Sequence, residues 1–253
     1  MPLSTIADTA TPGLRISMFP QHALDARTDM PQRTESTIDA GDAELKGWLE
    51  IPANAAGVVA FAHGSGSSRF SARNNAVAQH LRNAGLGTLL FDLLTASEDR
   101  IDRVAREYRF DIPLLSQRLA GATRWLAAQP AAEDLPIGLF GSSTGAAAAL
   151  IVAAQLPQQI AAVVSRGGRA DMAGDTLAEV QAPTLLIVGG ANTEVLRLNQ
   201  NARDQMRCLV DIAIVDRATH LFEEPGALEQ VQQLASDWFL ENFSRGASCP
   251  ADS

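Results

Sequence analysis

The 253-residue sequence has few aromatic residues, few cysteines and no apolar run long enough to span a membrane. Nine Phe, three Trp and one Tyr leave little material for the platforms on which nucleic-acid bases stack. Acidic residues outnumber basic ones, 29 against 20, and the resulting net charge of -9 disfavours binding to nucleic acid or to an anionic membrane. These features predict a soluble protein without nucleic-acid or membrane partners. They do not indicate an oligomeric state.

The two cysteines cannot form a disulfide framework, because Cys208 lies in an apolar run and Cys249 in a polar tail. The first residues, MPLSTIADTATPG, contain neither a basic n-region nor an apolar h-region of a signal peptide. We therefore expect a cytoplasmic protein. The sequence has no clustered His or Cys and no phosphate-binding glycine motif, so we expect no metal and no cofactor.

Apolar runs alternate with helical patterns between a predicted loose extension, residues 1–33, and a predicted tail, residues 245–253. Several runs are continuously apolar, as is typical of parallel strands covered on both faces. The sequence therefore predicts one α/β domain over 34–244, with a mostly parallel sheet and helices on both faces. The predicted strands are 44–51 (paired with 36–39), 57–62, 87–91, 137–140, 161–165, 184–188 and 208–215. The predicted helices are 73–83, 112–128, 144–156, 194–206 and 225–243.

A G-x-S-x-G motif occupies residues 141–145, directly after a predicted strand and before a predicted helix. This is the context of a nucleophile elbow, in which the glycines allow a sharp turn that leaves the central hydroxyl exposed. The motif predicts Ser143 as a nucleophile. The alternative is a Gly-Ser turn that only caps the helix, and the neighbouring Ser142 is a weaker candidate.

A serine nucleophile needs a base, because its hydroxyl hardly ionises at neutral pH. In α/β-hydrolases the histidine follows the nucleophile in the chain, and His220 is the one histidine of four that does so. It comes just after the last predicted strand. The sequence therefore predicts His220 as the general base.

The loop after strand 57–62 reads His63-Gly-Ser-Gly-Ser-Ser. Its glycines allow the chain to bend so that the N–H of Ser65 points at an oxyanion, together with the N–H of Thr144. His63 is then expected to order this loop. Arg69 and Arg73 follow, and we expect them either to bind a substrate carboxylate or to hold the loop in place.

Four segments resemble the dienelactone-hydrolase-like branch of the α/β-hydrolases, and the resemblance extends over residues 36–243. They are 63–69 (HGSGSSR), 138–147 (GLFGSSTGAA), 184–199 (TLLIVGGANTEVLRLN) and 218–225 (ATHLFEEP). The resemblance implies a serine hydrolase of small carboxylic esters or lactones that needs no metal. It assigns Ser143 as the nucleophile and His220 as the base. Some members of the branch are fused to a phosphoribosyltransferase domain, which this sequence lacks.

The sequence departs from this family at the third catalytic position, where Asn192 stands in place of Asp. An asparagine can orient the imidazole of His220 but supplies no negative charge, and such a change costs about 10⁴ in turnover in a serine triad. Asp171 is the favoured substitute because it follows a neighbouring strand. Glu194 and Asp216 are the other candidates.

Asp171 has an equally expected alternative, a salt bridge to Arg166 or Arg169. The segment 93–111 is expected to shape the pocket or to be a solvated connector. In it, Tyr108 and Phe110 are possible lining residues, and Arg103, Arg106 and Arg109 are possible carboxylate contacts.

Three functions therefore remain open. The first is hydrolysis of small esters or lactones through an acyl-enzyme on Ser143, and the second is acyl transfer to another nucleophile. The third is ligand binding on a hydrolase fold with weakened or lost catalysis, which Asn192 favours.

Overall fold

The computed structural model describes residues 35–246, which form one eight-stranded sheet with six α-helices packed on it. The predicted extension 1–33 lies outside the described residues. So does the predicted tail, except for residues 245 and 246, which belong to the last helix.

The strands and helices alternate along the chain as the sequence predicts. The strands are β1 (Glu35–Asp39), β2 (Glu44–Glu50), β3 (Val58–Ala62), β4 (Gly87–Phe91), β5 (Ile137–Ser142), β6 (Ile160–Arg166), β7 (Thr184–Gly189) and β8 (Val210–Val215). The helices are α1 (Ala72–Asn83), α2 (Ala96–Ala105), α3 (Ile112–Ala127), α4 (Thr144–Gln155), α5 (Thr193–Arg203) and α6 (Ala227–Gly246). Short 3-10 segments occupy Pro130–Ala132 and Ala170–Glu179.

The sheet has the strand order β1-β2-β4-β3-β5-β6-β7-β8. The pairs β1–β2 and β2–β4 are antiparallel, and all the others are parallel. The hairpin predicted at the start of the domain is confirmed. The parallel strands end at one edge of the sheet, where the loops that carry function lie in open α/β sheets.

Both faces of the sheet are buried, and successive residues of a strand belong to different cores. In β3, Val58 and Ala60 pack towards α3 and α4, whereas Val59 and Phe61 pack towards α1 and α6. Side chains alternate between the two faces of a strand, so a strand covered on both sides must be apolar throughout. The predicted parallel sheet with helices on both faces is confirmed.

Helix α2 is not among the predicted helices, because the sequence analysis expects 93–111 either to shape the pocket or to be a solvated connector. The helix begins at a capping box, in which Thr95 Oγ1 accepts from the Glu98 N–H and the Glu98 carboxylate accepts from the Thr95 N–H. Its apolar residues do not face the core: Val104 is 87% exposed and Ile101 45%. Ile101 and Val104, three residues apart, therefore form an exposed apolar pair, and the capping box is the clear sequence signal of the helix start.

Among the described helices, none combines the length and the apolar character that crossing a membrane requires.

Candidate active site

Ser143 stands on the sharp turn between β5 and α4, with φ 51° and ψ −121°. A positive φ is unfavourable for a residue with a side chain and persists only where the surroundings impose it. A Cβ on Gly141 would lie 2.4 Å from the Ala146 Cα, and one on Gly145 would lie 2.2 Å from the Ala62 carbonyl oxygen. Both glycines are therefore required for helix α4 to approach the sheet this closely.

The backbone of Ser143 is held on three sides while its hydroxyl stays free of the helix cap. Its N–H donates to the Arg166 carbonyl at 3.3 Å, and its carbonyl accepts from the N–H groups of Arg169 and Ala146. The half-buried side chain makes no capping hydrogen bond. The neighbouring Ser142 is buried, and its Oγ donates to Asn74 Oδ1 at 3.0 Å. Of the two hydroxyls, that of Ser143 is the one available to a substrate.

The loop after β3 passes directly beside Ser143, since a Cβ on Gly64 would lie 3.0 Å from the Ser143 Cβ. Buried His63 fixes this loop: its Nδ1 lies 3.0 Å from the Gly64 carbonyl, and its Nε2 accepts from the Leu93 N–H at 3.0 Å. Burial lowers the pKa of His63, in keeping with a neutral ring that donates through Nδ1 and accepts through Nε2. His63 therefore holds the loop by backbone contacts on both ring nitrogens.

Ser65 lies on the same loop, and Thr144 is the first residue of α4. Within residues 35–246, neither backbone N–H donates to a protein acceptor. The N–H of Thr144 belongs to the unpaired donors of a helix N-terminus, which favour negative charge. Two free donors thus flank the Ser143 turn.

His220 lies between β8 and α6, half-buried at the same edge of the sheet. Its Nδ1 is 3.3 Å from the side-chain Nδ2 of Asn192. Nε2 is therefore the ring nitrogen left to face a nucleophile. The described residues include no hydrogen bond from the Ser143 hydroxyl to His220, and such catalytic contacts often tighten only when substrate binds.

Asn192 is also the N-cap of α5, and this second role sets the direction of its amide group. Its Oδ1 accepts from the Val195 N–H at 3.4 Å, which leaves Nδ2 facing His220. An amide nitrogen only donates, so with the amide in this orientation Nδ1 accepts and the ring proton belongs on Nε2. That is the tautomer unable to accept a proton from a serine. An aspartate could accept from both groups at once.

The charges around His220 are positive. Burial lowers the pKa of the imidazole, and the guanidinium groups of Arg166 and Arg73 lower it further. Arg166 is itself buried, and burial together with the charge of Arg73 lowers its pKa to about 10. The free site therefore disfavours the imidazolium that general-base catalysis creates.

The other candidates for the third position are engaged elsewhere or exposed. Both carboxylate oxygens of Asp171 accept from Arg169, each at 2.8 Å, so this alternative agrees with the structure. Glu194 is exposed on the first turn of α5, and Asp216 is exposed beside Arg217. Asn192 is the candidate that the structure brings to His220.

Arg69 lines a pocket together with His63 and Asp92, but its guanidinium is engaged by protein groups. Its guanidinium pairs with Asp92 and, at 2.7 Å, with Glu35, and it lies over the rings of Trp48 and Phe70. These contacts agree with the alternative in which Arg69 holds the loop in place. A substrate could bind Arg69 only by displacing these carboxylates.

Arg73 has a different position, because it pairs with Glu223 at 2.8 Å and acts electrostatically on both His220 and Arg166. Its Nε is buried without a hydrogen-bond partner. Of the two arginines predicted for substrate binding, Arg73 is the one whose charge reaches the site.

The segment 93–111 lines two pockets beside the loop after β3, with Leu94 and Asp99 contributing to both. Arg109 pairs with Asp102 and lies against Gly66 of the loop after β3, while Arg103 pairs with Asp99. Phe110 is 55% exposed. The segment therefore contacts the loop after β3 through Arg109.

Arg166 was not predicted as a residue of the site; the sequence indicated it only as a possible salt-bridge partner of Asp171. Its signal was present in the sequence, since it is a charged residue at the carboxyl end of a continuously apolar strand. Elsewhere in the described range, no group of three His, Cys, Asp or Glu side chains is placed to hold a metal ion.

Comparison with known proteins agrees with the observed fold. The family model described as BAAT / acyl-CoA thioester hydrolase C terminal matches residues 119–221, which include Ser143, Asn192 and His220. The crystal structure of a dienelactone hydrolase from Anabaena variabilis superposes with a TM-score of 0.82 and 53% identity, over 83% of this chain and 98% of that one. Est1E from Butyrivibrio proteoclasticus shares the fold, with a TM-score of 0.69 and 15% identity, over 83% of this chain and 99% of that one.

Two Mycobacterium tuberculosis proteins that are named as phosphoribosyl transferases are 53% identical over 222 residues, or 87% of this chain. The chain spans 49% of the length of these curated relatives.

The sheet, the elbow and the structural matches define an α/β-hydrolase. Within that class, the chain belongs to the dienelactone-hydrolase-like family, because it matches nearly the whole of a dienelactone hydrolase at 53% identity.

Proposed function

We propose that this chain is a serine hydrolase that cleaves small carboxylic esters or lactones through an acyl-enzyme on Ser143. The observation that carries the proposal is the strained turn at Ser143, with Gly64 of the neighbouring loop beside its Cβ. Strain of this kind marks residues whose position serves a function. The family match supports the same class of chemistry.

In the proposed reaction, His220 Nε2 removes the proton of the Ser143 hydroxyl as Oγ attacks the carbonyl carbon. The carbonyl oxygen becomes an oxyanion and accepts from the N–H groups of Ser65 and Thr144. The tetrahedral intermediate then expels the alcohol, which takes the proton from His220. Water activated by the same nitrogen attacks the acyl-enzyme and releases the acid.

In this mechanism the imidazole must carry its proton on Nδ1, the tautomer that the resting Asn192 amide disfavours. Catalysis therefore requires that the amide group turn, so that Oδ1 accepts from His220 Nδ1 and the helix cap at Val195 is lost. We expect turnover to be slower than in a site with aspartate at this position.

The Asn192 geometry also favours a second candidate, a ligand-binding protein with weak or no turnover. Both candidates use the same pocket. They differ in whether Ser143 becomes acylated. Adding an alcohol or amine acceptor to the same assay tests acyl transfer as a third outcome.

We place the protein in the cytoplasm with a small-molecule substrate. The half-buried thiol of Cys208, which is free in the structure, supports a reducing compartment.

The test is a panel of p-nitrophenyl esters from acetate to octanoate, combined with labelling by a fluorophosphonate. We expect hydrolysis of the short esters and labelling of wild type, with both lost in Ser143→Ala. Ser142→Ala is the matched control, because its buried hydroxyl contacts only Asn74. Labelling that persists in Ser143→Ala would contradict the assignment of Ser143 as the nucleophile. A wild-type protein that neither reacts with the fluorophosphonate nor hydrolyses the esters would favour the ligand-binding protein.

A further inference from the structure

The sheet has two edge strands, β1 and β8, and the two differ in how they protect their outer edge. Edge strands carry unpaired backbone N–H and C=O groups, and proteins usually protect them with charges, with proline or with a covering element. In β1 the first and last residues, Glu35 and Asp39, are acidic and exposed. Strand β8 (VDIAIV) has one charged residue, Asp211, and neither proline nor lysine. Within residues 35–246, no strand pairs with its outer edge.

The free backbone groups of β8 belong to every second residue. The carbonyl oxygens of Leu209 and Val215 accept from N–H groups on the β7 side, at 2.9 and 2.8 Å. In a strand, the N–H and C=O of one residue point to the same side, and the direction alternates from residue to residue. The backbone groups of Val210, Ile212 and Ile214 therefore point away from the sheet.

The side chains of these three residues share one face of the sheet, and all three are β-branched and apolar. Val210 and Ile212 pack partly against the core that contains α3 and α4. Ile214 is 54% exposed, and Leu209 at the start of the edge is 49% exposed. The outer edge of β8 thus combines free backbone groups with an apolar stripe.

The charge of this region is balanced, in contrast to the rest of the chain. Residues 203–217 contain three arginines and three aspartates, whereas the whole chain has a net charge of -9. Two surfaces of the same sign repel each other, so an acidic protein is best able to approach a second copy of itself through a neutral region. The β8 edge is such a region.

We propose that β8 is the interface of a homodimer, in which two copies pair their β8 edges in antiparallel orientation about a twofold axis. Such an interface is self-complementary, because each copy offers the other the same groups. With Ile212 opposite Ile212 of the second copy, Val210 lies opposite Ile214. The outward N–H and C=O groups of all three residues then find partners, and their side chains form one apolar stripe across the two sheets.

The charged residues favour this register over the two neighbouring ones that also pair outward groups with outward groups. A shift towards the start of the strand places Asp211 opposite Asp211 of the second copy, and like charges directly opposite each other are destabilising. A shift the other way places Val210 opposite Asp216. The register centred on Ile212 pairs apolar residues with apolar residues.

The first test is the mass of the full chain in solution, measured by light scattering after gel filtration at several concentrations. We expect a species of about 54 kDa, twice the 26.8 kDa of one chain, that dissociates on dilution. Ile214→Lys should remain monomeric, because it places a charge against Val210 of the second copy. Ile101→Lys is the matched control and should still dimerise, since Ile101 is 45% exposed on α2 and does not lie on this edge.

Opposite charges test the register. Val210→Glu should be monomeric alone, and mixing it with Ile214→Lys should give a heterodimer, because position 210 of one copy lies opposite position 214 of the other. Ile214→Glu mixed with Ile214→Lys is the control and should not dimerise, since the two positions 214 do not face each other. Folded variants that combine in the control mixture but not in the first would overturn the proposed pairing.

Hydrogen exchange of the wild type keeps the test decisive even if a variant does not fold. The N–H groups of Val210, Ile212 and Ile214 should exchange about tenfold or more slowly at high protein concentration than after dilution. Equal exchange at both concentrations, a wild type that is always monomeric, or a dimer that persists in folded Ile214→Lys would overturn the interface. Ester hydrolysis enters none of these outcomes, so the interface and the proposed function can fail separately.

Discussion

The side of this site that carries Ser143, the proposed nucleophile (the nucleophile side), and the side that carries His220, the proposed base (the base side), are built by different means. On the nucleophile side, glycines at 64, 141 and 145 bring backbone groups so close that side chains would collide. On the base side, Asn192 contacts the His220 ring, and burial together with the charges of Arg166 and Arg73 lowers the pKa of the imidazole. The first side has the parts of a serine hydrolase, whereas the second has a neutral amide and an unpaired cation in place of a carboxylate.

This difference shows that a fold can keep the backbone geometry around the proposed nucleophile while the charges around the proposed base change. The close backbone packing at Gly141 and Gly145 cannot be changed gradually, because a Cβ added there would lie 2.2–2.4 Å from neighbouring backbone atoms. The charge beside the imidazole can instead come from a side chain or from a ligand. The predictions below therefore act on one side at a time.

The largest effect is expected for the residue that joins both sides. His220→Ala should lower kcat/KM on a p-nitrophenyl ester by about 10⁴-fold or more, because no other described histidine has a free ring nitrogen near Ser143. His80→Ala, which removes only a contact to Ser236, is the control and should remain active. A His220→Ala protein as fast as wild type would contradict the base assignment.

Placing a carboxylate on the base side should increase activity. Asn192→Asp lets one carboxylate accept from both the Val195 N–H and the His220 Nδ1–H, and it supplies the missing charge. We expect kcat to rise by about 10²- to 10⁴-fold, the reverse of the loss seen for Asp to Asn in a serine triad. Asn201→Asp adds the same charge elsewhere on α5 and should change little. An unchanged rate in Asn192→Asp would mean that this position does not limit catalysis.

A single methyl group should disturb the nucleophile side. Gly64→Ala places a Cβ 3.0 Å from the Ser143 Cβ and pushes the oxyanion loop away, so kcat should fall by about 10- to 100-fold. Ser65→Ala keeps the N–H that is proposed to bind the oxyanion and should stay within a few-fold of wild type. A larger loss of kcat in Ser65→Ala than in Gly64→Ala would indicate that the hydroxyl of Ser65, rather than its backbone N–H, acts in the reaction.

The pH profile reports the charge on the base side. Burial, Arg166 and Arg73 lower the pKa of His220, so the neutral base survives to lower pH than an ordinary histidine. On a neutral ester, activity should fall as the pH is lowered, and the pH midpoint of this fall should lie below about 6.5, the usual pKa of a histidine. Removing a neighbouring positive charge in Arg166→Gln should move the midpoint upwards. A wild-type midpoint above 7 would contradict this account of the electrostatics.

The smallest effect is expected at the acid that sequence reasoning favoured. Asp171→Asn loses a surface ion pair with Arg169 and leaves His220 untouched, so activity should stay within about 3-fold of wild type. Comparing kcat/KM on one ester for this variant and for Asn192→Asp decides which position serves the base. A loss of 10²-fold or more in kcat/KM in Asp171→Asn would instead assign the support of His220 to Asp171.

The fold and the positions of Ser143 and His220 could be predicted from the sequence, because continuous apolar runs and a glycine-bounded serine impose one backbone arrangement. The base side could not. The direction of the Asn192 amide depends on a cap formed three residues later, at Val195. The isolation of Arg166 depends on Asp171 pairing with Arg169 instead. Each of these two features depends on which of several possible hydrogen-bond or ion-pair partners a side chain contacts, and the hydrophobic periodicity of the sequence does not contain that information.

The most direct test of the central claim is intact-mass spectrometry of the protein quenched in acid during turnover of p-nitrophenyl acetate or butyrate at pH 7. The account predicts a population heavier by one acyl group, with the modification mapped to the peptide that contains Ser143 and absent from Ser143→Ala. Asn192→Asp should reach this state faster than wild type. Ester hydrolysis by wild type with the acyl group on another residue, or with unchanged labelling of Ser143→Ala, would contradict it.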